Sequence, residues 1–507
     1  MQNLYTKNYL KIYFWQGASL ILNFLSMFIV VPYLTSEPTI YGIYIVCISI
    51  TIFMAYADLG FIGAGQKYAA EYFIRGDLKE EIKVIGFTNF ILLVFLLLFS
   101  VGFLILSFHP ELLIKNLDSG KEETIASTLL LVLAIFTPVT LLQRLLQMIF
   151  AVRLEDYVIH RSNIIASSLK ILSILYFFRK GHYNIVGYFL FTQIINLLTA
   201  LIILFIAKIR YNYEFKTLIK SIRFNKIVFS KTKRLAFTSL YLTFTWILYY
   251  ELDPVAIGYL LGAKQVAIYA IGLTILSFFR SILGILFSPF NIRFNHLIGI
   301  HDEDGLKSLI ITITTFMAPF IIIPITTICL LAQPLIICWV GIEYSESVSV
   351  AQFLILCNLF AFITYPTSFL LMGKEKIKEM YFVNTIIPLI YWTGIISTYT
   401  IIGLKSFAFF KFVAFSISSL AYFLILKRYL ALSISQLVRR YIGHILFPLL
   451  LLFGATILIF DYLPHEKSKI NLLIVASTAV CLIMSSFVLH YFLSEKWRTQ
   501  IIKIIKI

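Results

Sequence analysis

The feature that most constrains this chain is a succession of about fourteen apolar stretches, each near the roughly 20 residues a helix needs to cross a bilayer. They run at roughly 12–34, 40–65, 84–108, 124–150, 157–178, 184–206, 235–260, 266–291, 308–332, 348–372, 380–402, 406–426, 441–463 and 470–493. Several, such as Ile91 to Phe99, are unbroken Ile, Leu, Val and Phe runs. They lack the alternation that a transmembrane barrel strand requires. In lipid every backbone polar group must be paired within the segment or its barrel, so these runs specify helices. The fold class expected is an all-α integral membrane protein. Composition agrees: 60% of residues are hydrophobic and 13% charged, where soluble domains carry roughly 25% charged residues. A soluble enzyme, a nucleic-acid reader and a disordered scaffold are excluded.

The charge then sets orientation. The chain has 42 Lys+Arg against 25 Asp+Glu, a net charge of +17. With the N-terminus placed in the cytoplasm, inner segments hold roughly 30 basic residues and outer ones about 8, a strong positive-inside bias. An even span count with both termini inside preserves that bias. The first stretch, Ile12 to Leu34, is too long for a signal-peptide core and lacks a small-residue cleavage site, so it reads as a retained span. The densest basic segment, 208–234, sets Lys208, Arg210, Lys216, Lys220, Arg223, Lys226, Lys231, Lys233 and Arg234 against Glu214. It reads as a topology determinant resting on anionic headgroups. It separates six spans in 1–207 from six in 235–428, which are followed by two in 429–493. Within the basic cytoplasmic tail, 494–507, Trp497 to Ile507 reads as a short interfacial amphipathic helix.

A weak internal repeat has an offset near 225 residues. Tyr41-Gly42-Ile43-Tyr44 is echoed by Ala267-Ile268-Tyr269, and Arg75-Gly76-Asp77-Leu78-Lys79 by His301-Asp302-Glu303-Asp304-Gly305-Leu306-Lys307. Repeats in transporters place substrate paths between halves. Pro138, Pro289, Pro319, Pro324, Pro366, Pro388 and Pro448 fall within spans, as kink points or packed prolines. Cys47, Cys329, Cys338, Cys357 and Cys481 read as small buried apolar residues, not as disulfides or metal ligands. No phosphate-binding Gly-x4-Gly-Lys loop is present, nor a His/Cys cluster with metal spacing. The outer loops are short, which argues against a membrane glycosyltransferase or polymerase and for a protein that is not an enzyme.

Polar residues at helical spacing mark faces inside the bilayer. Gln16, Ser19, Asn23 and Ser26 share one face, as do Thr137, Thr140, Arg144 and Gln147, and Asn163, Ser167, Lys170 and Ser173. Thr238, Tyr241, Thr245, Tyr249 and Asp253 form a wider stripe. Each stripe is open to two readings, close helix packing or a lumen. Intramembrane charges normally face a cavity or a partner, since each costs about 2.5–3.5 kcal/mol at mid-bilayer. Arg144, Lys170, Arg280 and Lys411 are cations of this kind; Asp58, Glu251 and Asp253 lie toward span ends. A lumen that is cationic in its middle suits an anionic substrate such as a pyrophosphate; the other reading is paired structural charge.

Ala57-Asp58-Leu59-Gly60-Phe61, then Gly63, Gly65, Tyr68-Ala69-Ala70-Glu71-Tyr72 and Arg75-Gly76-Asp77, resembles the signature that follows the second helix of polysaccharide flippases. Tyr41-Gly42-Ile43-Tyr44 is similar to the family's Y-G-x-Y turn. Asp253 to Gly262, followed by Val266-Ala267-Ile268-Tyr269, resembles its second-half block, with Ala267 where Gly is usual. The resemblance is to the Wzx-like polysaccharide-transport branch of the multidrug/oligosaccharidyl-lipid/polysaccharide exporter superfamily. It implies two pseudo-symmetric six-helix lobes plus two C-terminal helices in a bacterial inner membrane. It implies alternating-access movement of undecaprenyl-pyrophosphate-linked oligosaccharides for O-antigen or capsule. Arg144, Lys170, Arg280 and Lys411 would hold the anionic groups, and Asn23, Gln147 and Tyr241 would touch sugars. Asp58 and Asp253 would gate the path or carry a coupling H+ or Na+, with no other cofactor. The partners implied are membrane lipids, a polysaccharide polymerase and a chain-length regulator, and no nucleic acid. The rival readings are a multidrug or cation antiporter, a lipid II flippase and an assembly scaffold.

Overall fold

The computed structural model describes residues 2–55, 60–117, 120–179, 182–211, 213–433, 435–436, 443, 445–495 and 497–499. Among these residues the chain is helical with short turns and no strand. It is an all-α integral membrane protein, and it divides into two compact units, 1–267 and 268–507.

The first unit carries α1 (Gln2–Leu34), α2 (Pro38–Ala55), α3 (Phe61–Ile74), α4 (Leu78–Phe108), α5 (Gly120–Val152), α6 (Tyr157–Phe177), α7 (Ile185–Tyr211), α8 (Phe215–Ser221), α9 (Lys226–Tyr250) and α10 (Asp253–Leu261). α1 packs on α6, α6 on α7, α7 on α5, and α5 on α4. Beneath α8 and the start of α9, Phe61 stacks on Phe229 at 5.9 Å between ring centroids and meets Phe87 edge-on at 5.8 Å. These rings bury the amphipathic part of the basic segment against α3 and α4. Gly42 on α2 is required by a close approach: a Cβ there would lie 1.8 Å from the Ala263 carbonyl oxygen.

The boundary between units falls within α11 (Ala263–Gly299). The second unit continues with α12 (Glu303–Leu330), α13 (Ala332–Val340), α14 (Ser347–Leu356), α15 (Ala361–Gly373), α16 (Ile377–Ile402), α17 (Lys405–Leu430), α18 (Leu446–Phe460) and α19 (Lys469–Leu493). α12 packs on α14, α15, α18 and α19, and α16 pairs with α17. The chain beyond α19 is pinned by Trp497, whose indole N–H donates to the Phe316 carbonyl at 3.2 Å. Its ring packs on Phe320 and Phe487.

Ten of the described helices are each long and apolar enough to cross a membrane, and α14 with α15 forms an eleventh candidate bent by 45°. The other three expected stretches are helical but differently built. Stretch 40–65 falls on α2 and α3; α2 ends at Ala55, and α3 restarts after Gly60 at φ 79°. Stretch 235–260 falls on α9, which begins inside the basic segment, and on α10. Stretch 441–463 falls on α18, whose 15 residues are short for a span. Pro138, Pro319, Pro324, Pro366 and Pro388 lie inside continuous helices. The sharp bend lies before Ala361, so it precedes Pro366 by more than a helical turn. Cys47, Cys338 and Cys357 are buried and Cys329 is half-buried, whereas Cys481 is exposed on α19; all are free thiols.

The repeat extends beyond its motifs. α2 and α3 together span 38–74 and α11 spans 263–299, so the offset is 225 residues at both ends. Asp77 caps α4 by accepting from the Glu80 N–H at 3.1 Å, and Asp302 caps α12 by accepting from the Gly305 N–H at 2.8 Å. The residue before each cap is left-handed, Gly76 at φ 74° and His301 at φ 57°.

Candidate functional site

In the first unit a cavity of about 940 Å³ opens among α1, α2, α3, α5, α6 and α7. Its lining assembles from three of the polar stripes. α1 contributes Gln16, Ser19 and Asn23; α5 contributes Thr140, Arg144 and Gln147; α6 contributes Asn163, Ser167 and Lys170. The periodicity explains this, because residues three and four apart stand on one helix face. Two further stripe members bond to their own helices instead. Thr137 is buried and donates to the Leu133 carbonyl at 2.8 Å, and Ser173 donates to the Lys170 carbonyl at 2.7 Å.

Two cations define the electrostatics. Lys170 Nζ donates to Asn196 Oδ1 at 2.6 Å, and Arg144 reaches Gln147 Oε1 at 3.4 Å. Among the described residues neither has a carboxylate partner. Amide oxygens solvate these charges without neutralising them, so the cavity keeps its positive potential. Asp156 is the carboxylate among the described lining residues, just ahead of α6, with His160 one turn further on. Partial burial pushes the Asp156 carboxyl up to about 6.

Sequence reasoning missed one wall. Gln193, Asn196 and Thr199 on α7 complete the lining, together with Gln66 on α3 and Gln143 on α5. The signal was the same three-residue spacing in the sixth apolar stretch, here without a charge to draw attention.

The other expected site residues lie elsewhere. Tyr241, on α9, is 36% exposed, and Thr245 and Tyr249 of its stripe are buried. Asp253 is fully buried as the first residue of α10, where the helix dipole favours a carboxylate. In the second unit Arg280 is half-buried on α11. Lys411 on α17 is 1% exposed, with Nζ 5.4 Å from the centre of the Tyr391 ring on α16. Asp58 lies outside the described residues. Among those described, no group of His, Cys, Asp and Glu is arranged to hold a metal ion.

No family model matches the chain, and no curated protein matches it by sequence. Its fold is nevertheless shared with solved structures. A multidrug resistance MATE family transporter of the MOP superfamily, in an inward-facing conformation, superposes with a TM-score of 0.66 at 13% identity, covering 81% of this chain and 94% of that one. The lipid II flippase MurJ, in an inward closed conformation, superposes with a TM-score of 0.65 at 14% identity, covering 94% of this chain and 98% of that one.

Proposed function

We propose that this chain is a flippase for undecaprenyl-pyrophosphate-linked oligosaccharide repeat units of the O-antigen or capsule type. It works by alternating access in a bacterial inner membrane, with both termini cytoplasmic. The observation that carries this reading is a polar cavity of about 940 Å³ holding two cations that have no carboxylate partner among the described residues. Arg144 and Lys170 would meet the pyrophosphate or acidic sugars by charge-assisted hydrogen bonds. Asn23, Gln147, Gln193 and Asn196 offer donors and acceptors of the kind sugar hydroxyls pair with. Arg280 would bind anionic groups from the second unit, whereas the burial of Lys411 against Tyr391 favours a packing role. A coupling ion remains part of the proposal, with Asp156 added to Asp58 and Asp253 as a group able to carry it.

The lipid II flippase reading is favoured by a likeness to MurJ that extends over 94% of this chain. A multidrug antiporter has the same fold in its favour, but two cations against one described carboxylate suit an anionic cargo better. Reconstituted vesicles loaded with labelled undecaprenyl-pyrophosphate oligosaccharide separate these readings. Translocation of that lipid, reduced at least about tenfold by Arg144→Ala or Lys170→Ala, supports the proposal; the energy scale is that of one lost charge-assisted bond, roughly 1.5–3 kcal/mol. Movement of lipid II or ethidium in its place overturns it.

A further inference from the structure

A second, smaller cavity of about 360 Å³ lies between α16 and α17, within the size range of small-molecule sites (about 300–1,000 Å³). On α17 it is lined by Ala421, Leu424, Ile425 and Arg428, which recur at i, i+3, i+4 and i+7 and so form one stripe. On α16 it is lined by Lys378, Glu379 and Phe382. Lys378 stands in the first turn of α16 and Arg428 in the last turn of α17, so the two cations meet at one end of this helix pair. They flank the apolar stretches 380–402 and 406–426, and basic side chains flanking a span lie within reach of lipid headgroups. Apart from Glu379, the rest of the groove is hydrocarbon, with Phe382 63% and Leu424 43% exposed.

We propose that this groove is a selective binding site for an anionic glycerophospholipid. Its phosphate sits between Lys378 and Arg428, and one acyl chain lies along Phe382, Ala421 and Leu424. Basic clefts between transmembrane helices hold lipid phosphates in this way, and long basic side chains reach the headgroup layer from an apolar surface. Glu379 leaves the lining with one net positive charge, which matches the single negative charge of phosphatidylglycerol. This inference is independent of the cargo proposed for the first unit.

The test is native mass spectrometry of the full chain, stripped of lipid and then offered phosphatidylglycerol, phosphatidylcholine, undecaprenyl phosphate or inorganic phosphate. One phosphatidylglycerol should be retained with about tenfold preference over phosphatidylcholine, a difference of about 1.4 kcal/mol. Lys378→Gln with Arg428→Gln should abolish the preference, and Lys216→Gln with Lys220→Gln should leave it intact. Ala421→Trp, which fills the groove and spares both cations, should displace the lipid as well. Equal retention by the Lys378/Arg428 variant, equal retention of phosphatidylcholine, preferential retention of undecaprenyl phosphate, or competition by inorganic phosphate overturns the proposal.

Discussion

The two units tie corresponding helix ends with the same kinds of group at opposite degrees of burial. In the first unit Arg153, at the end of α5, pairs with Glu81 of α4 at 2.9 Å; their side chains are 7% and 0% exposed. The guanidinium lies 4.8 Å from the centre of the Phe73 ring, 4.9 Å from Tyr211 and 5.2 Å from Tyr213. In the second unit Lys374, at the end of α15, pairs with Glu303 of α12 at 2.7 Å, and the Tyr429 hydroxyl donates to the same carboxylate at 2.6 Å. There Glu303 is 55% exposed. Each basic residue precedes a left-handed one, Leu154 at φ 53° and Glu375 at φ 52°. The backbone device is thus common, and burial decides which cation serves. A buried charge needs a planar, multiply bonded and ring-stacked guanidinium, whereas a wet one is served by an ammonium.

The largest effect should come from Arg153→Met, which leaves Glu81 charged, buried and unpaired. Loss of about 3–5 kcal/mol is expected, read as lower thermal stability in detergent and less protein accumulated in the membrane. Adding Glu81→Gln should restore most of it, because the penalty lies in the orphaned charge. If the double variant is as unstable as the single one, the pair is not the element that distinguishes the two units. Arg153→Lys should cost less, about 1–3 kcal/mol, since one charge remains while the fork and its Ile149 carbonyl bond are lost.

A smaller effect concerns pH. Asp156 binds its proton more tightly in the folded protein than in the unfolded chain, with a value of about 6 against 3.8. The folded state should therefore lose stability as pH rises from about 4 to 6, then level off. Asp156→Asn should flatten that slope, measured as melting temperature across the range; an unchanged slope would place the titrating group elsewhere. The smallest effect belongs to the wet knot, where Glu303→Gln or Lys374→Met should shift stability by less than about 1 kcal/mol. A loss as large as that of Arg153→Met would erase the contrast between the units.

Much of the candidate site was legible because residue spacing is fixed by the sequence and a helix converts it into faces. Gln16, Ser19 and Asn23 must share a face, and so must Asn163, Ser167 and Lys170, whatever surrounds them. Gln193, Asn196 and Thr199 obey the same rule and complete the cavity. What that face meets is not contained in the spacing. Thr245, Tyr249 and Asp253 are equally regular, yet all three are buried. Lys411 and Lys170 are both cations in apolar helices, yet one is sealed near an aromatic ring and the other lines a cavity beside an amide.

By itself, then, the sequence determined that this protein is an all-α membrane protein, placed ten of its fourteen expected stretches on single helices able to cross a bilayer, and showed motifs repeated at an offset near 225 residues. Apolar length and backbone hydrogen bonding in lipid admit no other solution. The tertiary structure alone decided which polar stripes look into a cavity and which are packed away, and which ion pairs are dry. Those outcomes depend on the neighbours each face acquires, and burial, not residue identity, sets the energy of a charge.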